Sequence, residues 1–184
     1  MKIVIVSAST RIGRQTHKVA LGLEKALSKI DGITPSVLDL QKANLPIFEE
    51  VMARLPKPNE NVNKTYEILN EADALIFVTP EYNGNYSVAL QNMADYYPKN
   101  AFARKAIGIV TVSSGALGGM RAALHLQQFI LAISGIPSPQ MLLVGLVQNK
   151  FDENGDLLDP NFTKSVDSFV AEYLWLSKAL HAAK

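Results

Sequence analysis

Five short apolar runs, each rich in valine, isoleucine or leucine, are strung along the 184-residue chain with stretches of helical spacing between them. Runs of this kind are buried on both faces, so the pattern predicts a parallel sheet wrapped by helices on two sides. Strands are expected at Lys2 to Ser7, Thr34 to Leu40, Ala74 to Thr79, Ala106 to Val112 and roughly Gln140 to Val147. Leu23, Ala26, Leu27 and Ile30 mark one helical face, and Val166, Phe169, Val170, Tyr173 and Leu174 mark the last helix. Met120, Ala123, Leu124 and Gln127 to Leu131 predict a more fully buried helix. At this length one domain, residues 1–184, is expected.

In a parallel sheet, ligands lie outside the carboxyl ends of the strands, so the loops that follow them carry the chemistry. Pro80-Glu81-Tyr82-Asn83 follows the third run and opens into a helical pattern. Proline fixes the backbone, tyrosine offers an amphipathic face, and Asn83 with main-chain N–H groups can meet polar ring edges. That composition suits a flat heteroaromatic such as a flavin; the alternative reading is a turn and a helix start.

The loop after the first run, Ser7-Ala8-Ser9-Thr10-Arg11-Ile12-Gly13-Arg14-Gln15-Thr16, gathers hydroxyls, two guanidinium forks and a helix N-terminus. A phosphate monoester would satisfy that set, with Gly13 letting the backbone turn closely. The alternative is a capped helix start with two solvated arginines. No G-x-G-x-x-G and no G-K-[ST] follows the strand, so a single terminal phosphate fits better than a dinucleotide or nucleoside triphosphate. After the fourth run, Ser113-Ser114-Gly115-Ala116-Leu117-Gly118-Gly119 can press flat against a ligand, or can be a tight strand-to-helix loop. In a doubly wound order 2-1-3-4-5 the three loops share one rim, and FMN would sit at the switch point.

Other features exclude more than they assign. There is no cysteine, and His17, His125 and His181 show no ligand spacing, so neither thiolate chemistry nor a metal site is expected. A net charge of +1 points to no nucleic-acid partner. Ile3 to Val6 is too short for a signal segment and no run approaches the ~20 residues that span a bilayer, so a cytoplasmic protein is expected. Residues 41 to 60 form a long connection with Pro46, Pro56 and Pro58, in which Ile47 and Phe48 either serve function or plug the sheet edge. Asp152 through Asn161 lacks the terminal glutamate of a calcium loop and is read as a plain turn.

Taken together, these motifs resemble those of the flavodoxin-like NAD(P)H-dependent FMN reductases, a family that includes quinone, azo-dye and chromate reductases. Ser9-Thr10-Arg11-Ile12-Gly13-Arg14 is similar to the family's phosphate motif, Leu45-Pro46-Ile47-Phe48 to its proline-bearing loop, and Pro80-Glu81-Tyr82-Asn83-Gly84 to its isoalloxazine motif. Ser114-Gly115 with Gly118-Gly119 and Arg121 resembles its Gly-rich motif. The chain departs from many relatives at Asn85, Ser87-Val88 and Gln91, the last where a lysine is usual.

The resemblance implies a three-layer flavodoxin-like sandwich and FMN with NAD(P)H as co-substrate. It also implies ping-pong hydride transfer through flavin N5 to a flavin, quinone or azo acceptor, and a homodimer or homotetramer. The cofactor-binding candidates are Ser9, Arg11, Arg14, Gln15, Thr16, Pro80, Glu81, Tyr82, Asn83, Ser114, Gly115 and Gly118. No residue is assigned as catalytic, although Glu81 or Tyr82 could aid proton delivery. The rival readings are a flavodoxin-like electron carrier, for which a nearly neutral chain is unusual, and a non-enzymatic flavin-binding module.

Overall fold

The computed structural model describes residues 1–57 and 59–183; Pro58 of the long connection lies outside the described residues. Strands β1 (Lys2–Ser7), β2 (Thr34–Asp39), β3 (Ala74–Pro80), β4 (Ala106–Val112) and β5 (Ile136–Val144) form one parallel sheet in the order β2-β1-β3-β4-β5. Helices α1 (Thr16–Leu27), α2 (Leu40–Ala43), α3 (Glu60–Glu71), α4 (Val88–Tyr96), α5 (Met120–Ala132) and α6 (Thr163–Ala182) connect or flank them.

Alternation along β1 divides the core. Ile3 and Ile5 face α1 and α6, packing with Leu23, Phe169 and Tyr173. Val4 and Val6 face the opposite layer, with Leu69, Leu90, Met93 and Leu126. The central strands β3 and β4 are buried along their whole length, which is why their sequences are apolar without alternation. Truncating Ile76, fully buried in β3, to alanine should cost about 2–5 kcal/mol.

Four expected boundaries move, the slightest being β3, which runs one residue further to Pro80. β5 begins at Ile136 and so includes Pro137 and Pro139, which sequence reading kept outside it. The strand is at the sheet's edge, where a residue with no N–H to donate is tolerated. It also ends at Val144, because Leu146 turns into the left-handed region (φ 48°) and Val147–Asn149 forms a short 3-10 turn. β2 stops at Asp39, whose side chain accepts the Gln41 N–H and starts α2.

Helix α5 is not the more fully buried helix expected. Ala123, Leu126 and Ile130 occupy its inward stripe, which leaves Met120, Leu124 and Leu131 exposed on the outward side. In the long connection the apolar pair splits. Phe48 packs on the core, edge-on to Tyr96 at 5.5 Å between ring centres, with its N–H held by Asn92, whereas Ile47 is 86% exposed. The Asp152 carboxylate is taken up by the N–H groups of Asn154 and Asp156 within its own turn.

Candidate functional site

The carboxyl ends of β1, β3 and β4 deliver three loops to one rim, where they surround a cavity of about 480 Å³. Its size is ordinary for a small-molecule site. Helix α1 begins on this rim and its N-cap residue, Gln15, makes no side-chain cap, so the N-terminal N–H groups and the positive end of the helix dipole face the loop. Ser9 and Thr16 are buried, Arg11 is exposed, and all three line the cavity.

Arg14 lines the same cavity, but its guanidinium is engaged inside the protein. It forms a two-pronged ion pair with Asp39 at 2.5 and 2.6 Å and donates to the Ser9 carbonyl at 2.8 Å. The pair is largely buried, with the two side chains 10% and 6% exposed. Burial alone would raise the Asp39 pKa; hydrogen bonding and charge from Arg14 outweigh it and hold the carboxyl below its ordinary range. Sequence reading expects Arg14 to serve as a second phosphate fork; the structure places it on the cavity lining with its charge already answered by Asp39. Below the pair, His17 lies 3.2 Å from the Ser7 hydroxyl and 3.9 Å from Asp39, and burial lowers its pKa despite the carboxylate.

Gln15 adds an unusual feature to this loop. Its side-chain oxygen is buried with no hydrogen-bond partner, and the residue lines the cavity. A buried acceptor left unmatched is costly unless a ligand supplies the donor.

The segment after β3 forms a two-residue hairpin. Tyr82 and Asn85 exchange both backbone hydrogen bonds, at 2.8 and 3.0 Å, and Asn83 and Gly84 between them have φ of 51° and 82°. Both values are positive, the type I′ geometry that Asn-Gly favours. Asn83 is consequently the exposed corner of the turn, and Pro80, Glu81 and Tyr82 line the cavity without it. The Tyr82 hydroxyl is 3.1 Å from the Ser9 hydroxyl, joining the first loop to the second. Ser87, buried at the start of α4, donates to the Ala8 carbonyl and ties the same two loops from beneath. Glu81 reaches the first turn of α5, accepting a long 3.4 Å bond from the Ala122 N–H.

In the third loop Gly118 serves close packing. A Cβ on Gly118 would stand 2.8 Å from the Leu143 carbonyl carbon and 3.0 Å from the Gly145 nitrogen. The loop is instead zipped to the segment after β5: Leu146 N–H donates to Gly115 and Val147 N–H to Ser113. Ser114 lines the cavity, whereas Gly115 and Gly118 lie outside its lining. Val112, Ser113, Val147 and Gln148 complete the wall. Val147 and Gln148 escaped sequence reading, since nothing in their local pattern marks a site; only the pairing of two loops brings them to the rim.

Residues 1–147 match the family profile described as NADPH-dependent FMN reductase. The chain is 28% identical to an NAD(P)H-dependent FMN reductase of Pseudomonas aeruginosa, over 97% of this chain and 96% of that one. It is 30% identical to a quinone reductase of Pseudomonas putida, over 97% of each. Among solved structures, the flavoenzyme NAD(P)H:(acceptor) oxidoreductase FerB of Paracoccus denitrificans shares the fold, with a TM-score of 0.77 at 22% identity over 96% of this chain and 97% of that one.

Proposed function

The chain belongs to the NADPH-dependent FMN reductase family, and from that premise we propose that it is an oxidoreductase that holds FMN on the rim of β1, β3 and β4 and passes reducing equivalents from NAD(P)H to a small-molecule acceptor. The observation that carries the placement is the cavity at the uncapped start of α1, where Arg11 and buried hydroxyls meet an unmatched Gln15 oxygen. These groups fit a phosphate monoester on a hydroxyl-bearing chain. The cation and N–H groups answer the phosphate, and the Gln15 oxygen accepts from a hydroxyl.

When bound, FMN supplies the hydride and electron chemistry. The protein's own residues bind and orient. Arg11, Ser9, Thr16 and the first turn of α1 would hold the phosphate end. Pro80 to Tyr82 and Val112 to Ser114 would flank the ring, with Val147 and Gln148 as the outer wall. Arg14 holds the phosphate loop in shape through Asp39. Glu81 is engaged at the start of α5, which favours a positional role over proton delivery.

NAD(P)H and the acceptor would use the same open mouth in turn, so ping-pong kinetics is expected. Flavins and quinones are the acceptor classes favoured, since relatives are named for them. The exposed Leu124, Leu131 and Val88 support assembly as a homodimer or homotetramer, which sedimentation would test. Among the described residues no helix is long and apolar enough to cross a membrane. The decisive experiment is the absorption spectrum of the purified protein before and after anaerobic NADPH or NADH. A yellow protein bleached by either nucleotide is expected; one bleached by neither would leave an electron carrier or binding module instead.

A further inference from the structure

Two arginines line the phosphate cavity, yet they are not equivalent. Arg11 is exposed beside the cavity, while both terminal nitrogens of Arg14 are committed to the Asp39 carboxylate. We propose that Asp39 sets the charge specificity of this anion site: by holding the Arg14 guanidinium on its own carboxylate, it leaves Arg11 as the one side-chain cation for a ligand among the described lining residues, and so matches the site to a single phosphate group. This rests on the reading of the cavity as a phosphate site and deepens it.

Three further observations support the assignment. Asp39 is fixed from a second direction by the Gln41 N–H at 3.0 Å, and Gln41 donates its side-chain amide to the Thr10 carbonyl, so the carboxylate cannot swing away with the loop. His17, the other titratable group in contact, is kept by burial toward its neutral form and does not replace the cancelled charge. Glu81, also on the wall, is negative, so a second phosphate would meet no matching cation. A diphosphate carries more charge than this lining can answer, and a monoester does not.

The test uses Asp39→Asn, which keeps an acceptor for Arg14 and Gln41 but deletes the charge. In the yellow, full-length protein, bound FMN is displaced with inorganic phosphate and with inorganic pyrophosphate, followed by release of flavin fluorescence. Relative to wild type, the variant should shift its preference toward pyrophosphate about tenfold, and the shift should shrink as salt rises. Arg14→Gln, which leaves Asp39 uncompensated, should shift it about tenfold the other way and serves if the first variant does not fold. An unchanged preference in either folded variant overturns the proposal. A colourless protein would refute the flavin reading alone, because the same two anions then report through Tm, with the same expected shift between wild type and variant.

Discussion

The loop after β1 and the loop after β4 occupy equivalent places: each leaves a buried strand, turns on the same rim and enters a helix that no side chain of its own N-cap residue caps. They are held by opposite means. The first is laced by side chains, with Arg14 on Asp39, Ser9 on Tyr82, Gln41 on Thr10 and Ser87 on Ala8. The second rests mainly on backbone contact, because Gly118 and Gly145 let two backbones touch, with the buried Thr111 hydroxyl donating to the Gly118 carbonyl. A loop fixed by charge can present donors to a ligand and still be tuned by pH or substitution. One fixed by backbone contact is rigid and fails abruptly.

Gly145→Ala should show that difference most strongly. Its Cβ would stand 2.4 Å from the Ala116 carbonyl oxygen, which cannot yield without breaking the zipper, and a loss of about 3 kcal/mol is expected by urea unfolding. Arg14→Leu strips the clamp from the first loop and leaves Asp39 without its partner. About 2 kcal/mol is expected from the same measurement, below the range for deeply buried pairs because the opened carboxylate gains water.

Arg11→Ala should separate binding from stability. FMN affinity, read by fluorescence quenching, should fall roughly 10- to 100-fold, while unfolding changes by less than about 0.5 kcal/mol, as the residue is exposed. The corresponding change in the second loop, Ser114→Ala, should weaken FMN by only about threefold.

The smallest effect is a pH dependence. Burial lowers the folded-state pKa of His17, so below about pH 6.5 the unfolded chain binds its proton more readily than the folded one. Its contribution is whole above that pH and declines as pH falls from there toward the folded value. Asp39, held below the ordinary carboxylate range, retains its contribution until pH drops below about 4 and loses it through its lower folded value. His17→Gln should therefore flatten the stability profile just below about pH 6.5 and leave the loss below about pH 4 in place.

The same contrast explains what the amino-acid sequence could reveal. Strand order, both helical layers and the position of all three loops were legible, because buried runs and helical spacing are local signals and βαβ handedness does the rest. The first loop's candidates, Ser9, Arg11, Arg14, Gln15 and Thr16, all line the cavity. The pairing of Arg14 was not legible, since its partner lies 25 residues away at the end of β2, and no local pattern reports a long-range ion pair. Asn83, expected either at a ring edge or in a turn, is the corner of a turn, as the positive φ of Asn83 and Gly84 shows. Gly115 and Gly118, expected either against a ligand or in a tight strand-to-helix loop, lie in a loop that pairs with the segment after β5, and sequence alone does not show that pairing.

The outermost strand carries one more consequence. Ile136 donates its N–H inward to Lys105, so Pro137, next along, faces outward, and Pro139 lies where the pairing of β5 with β4 shifts register. A stray extended segment from a crowded neighbour would find no donor at either proline, which discourages runaway polymerisation while the chain is being made.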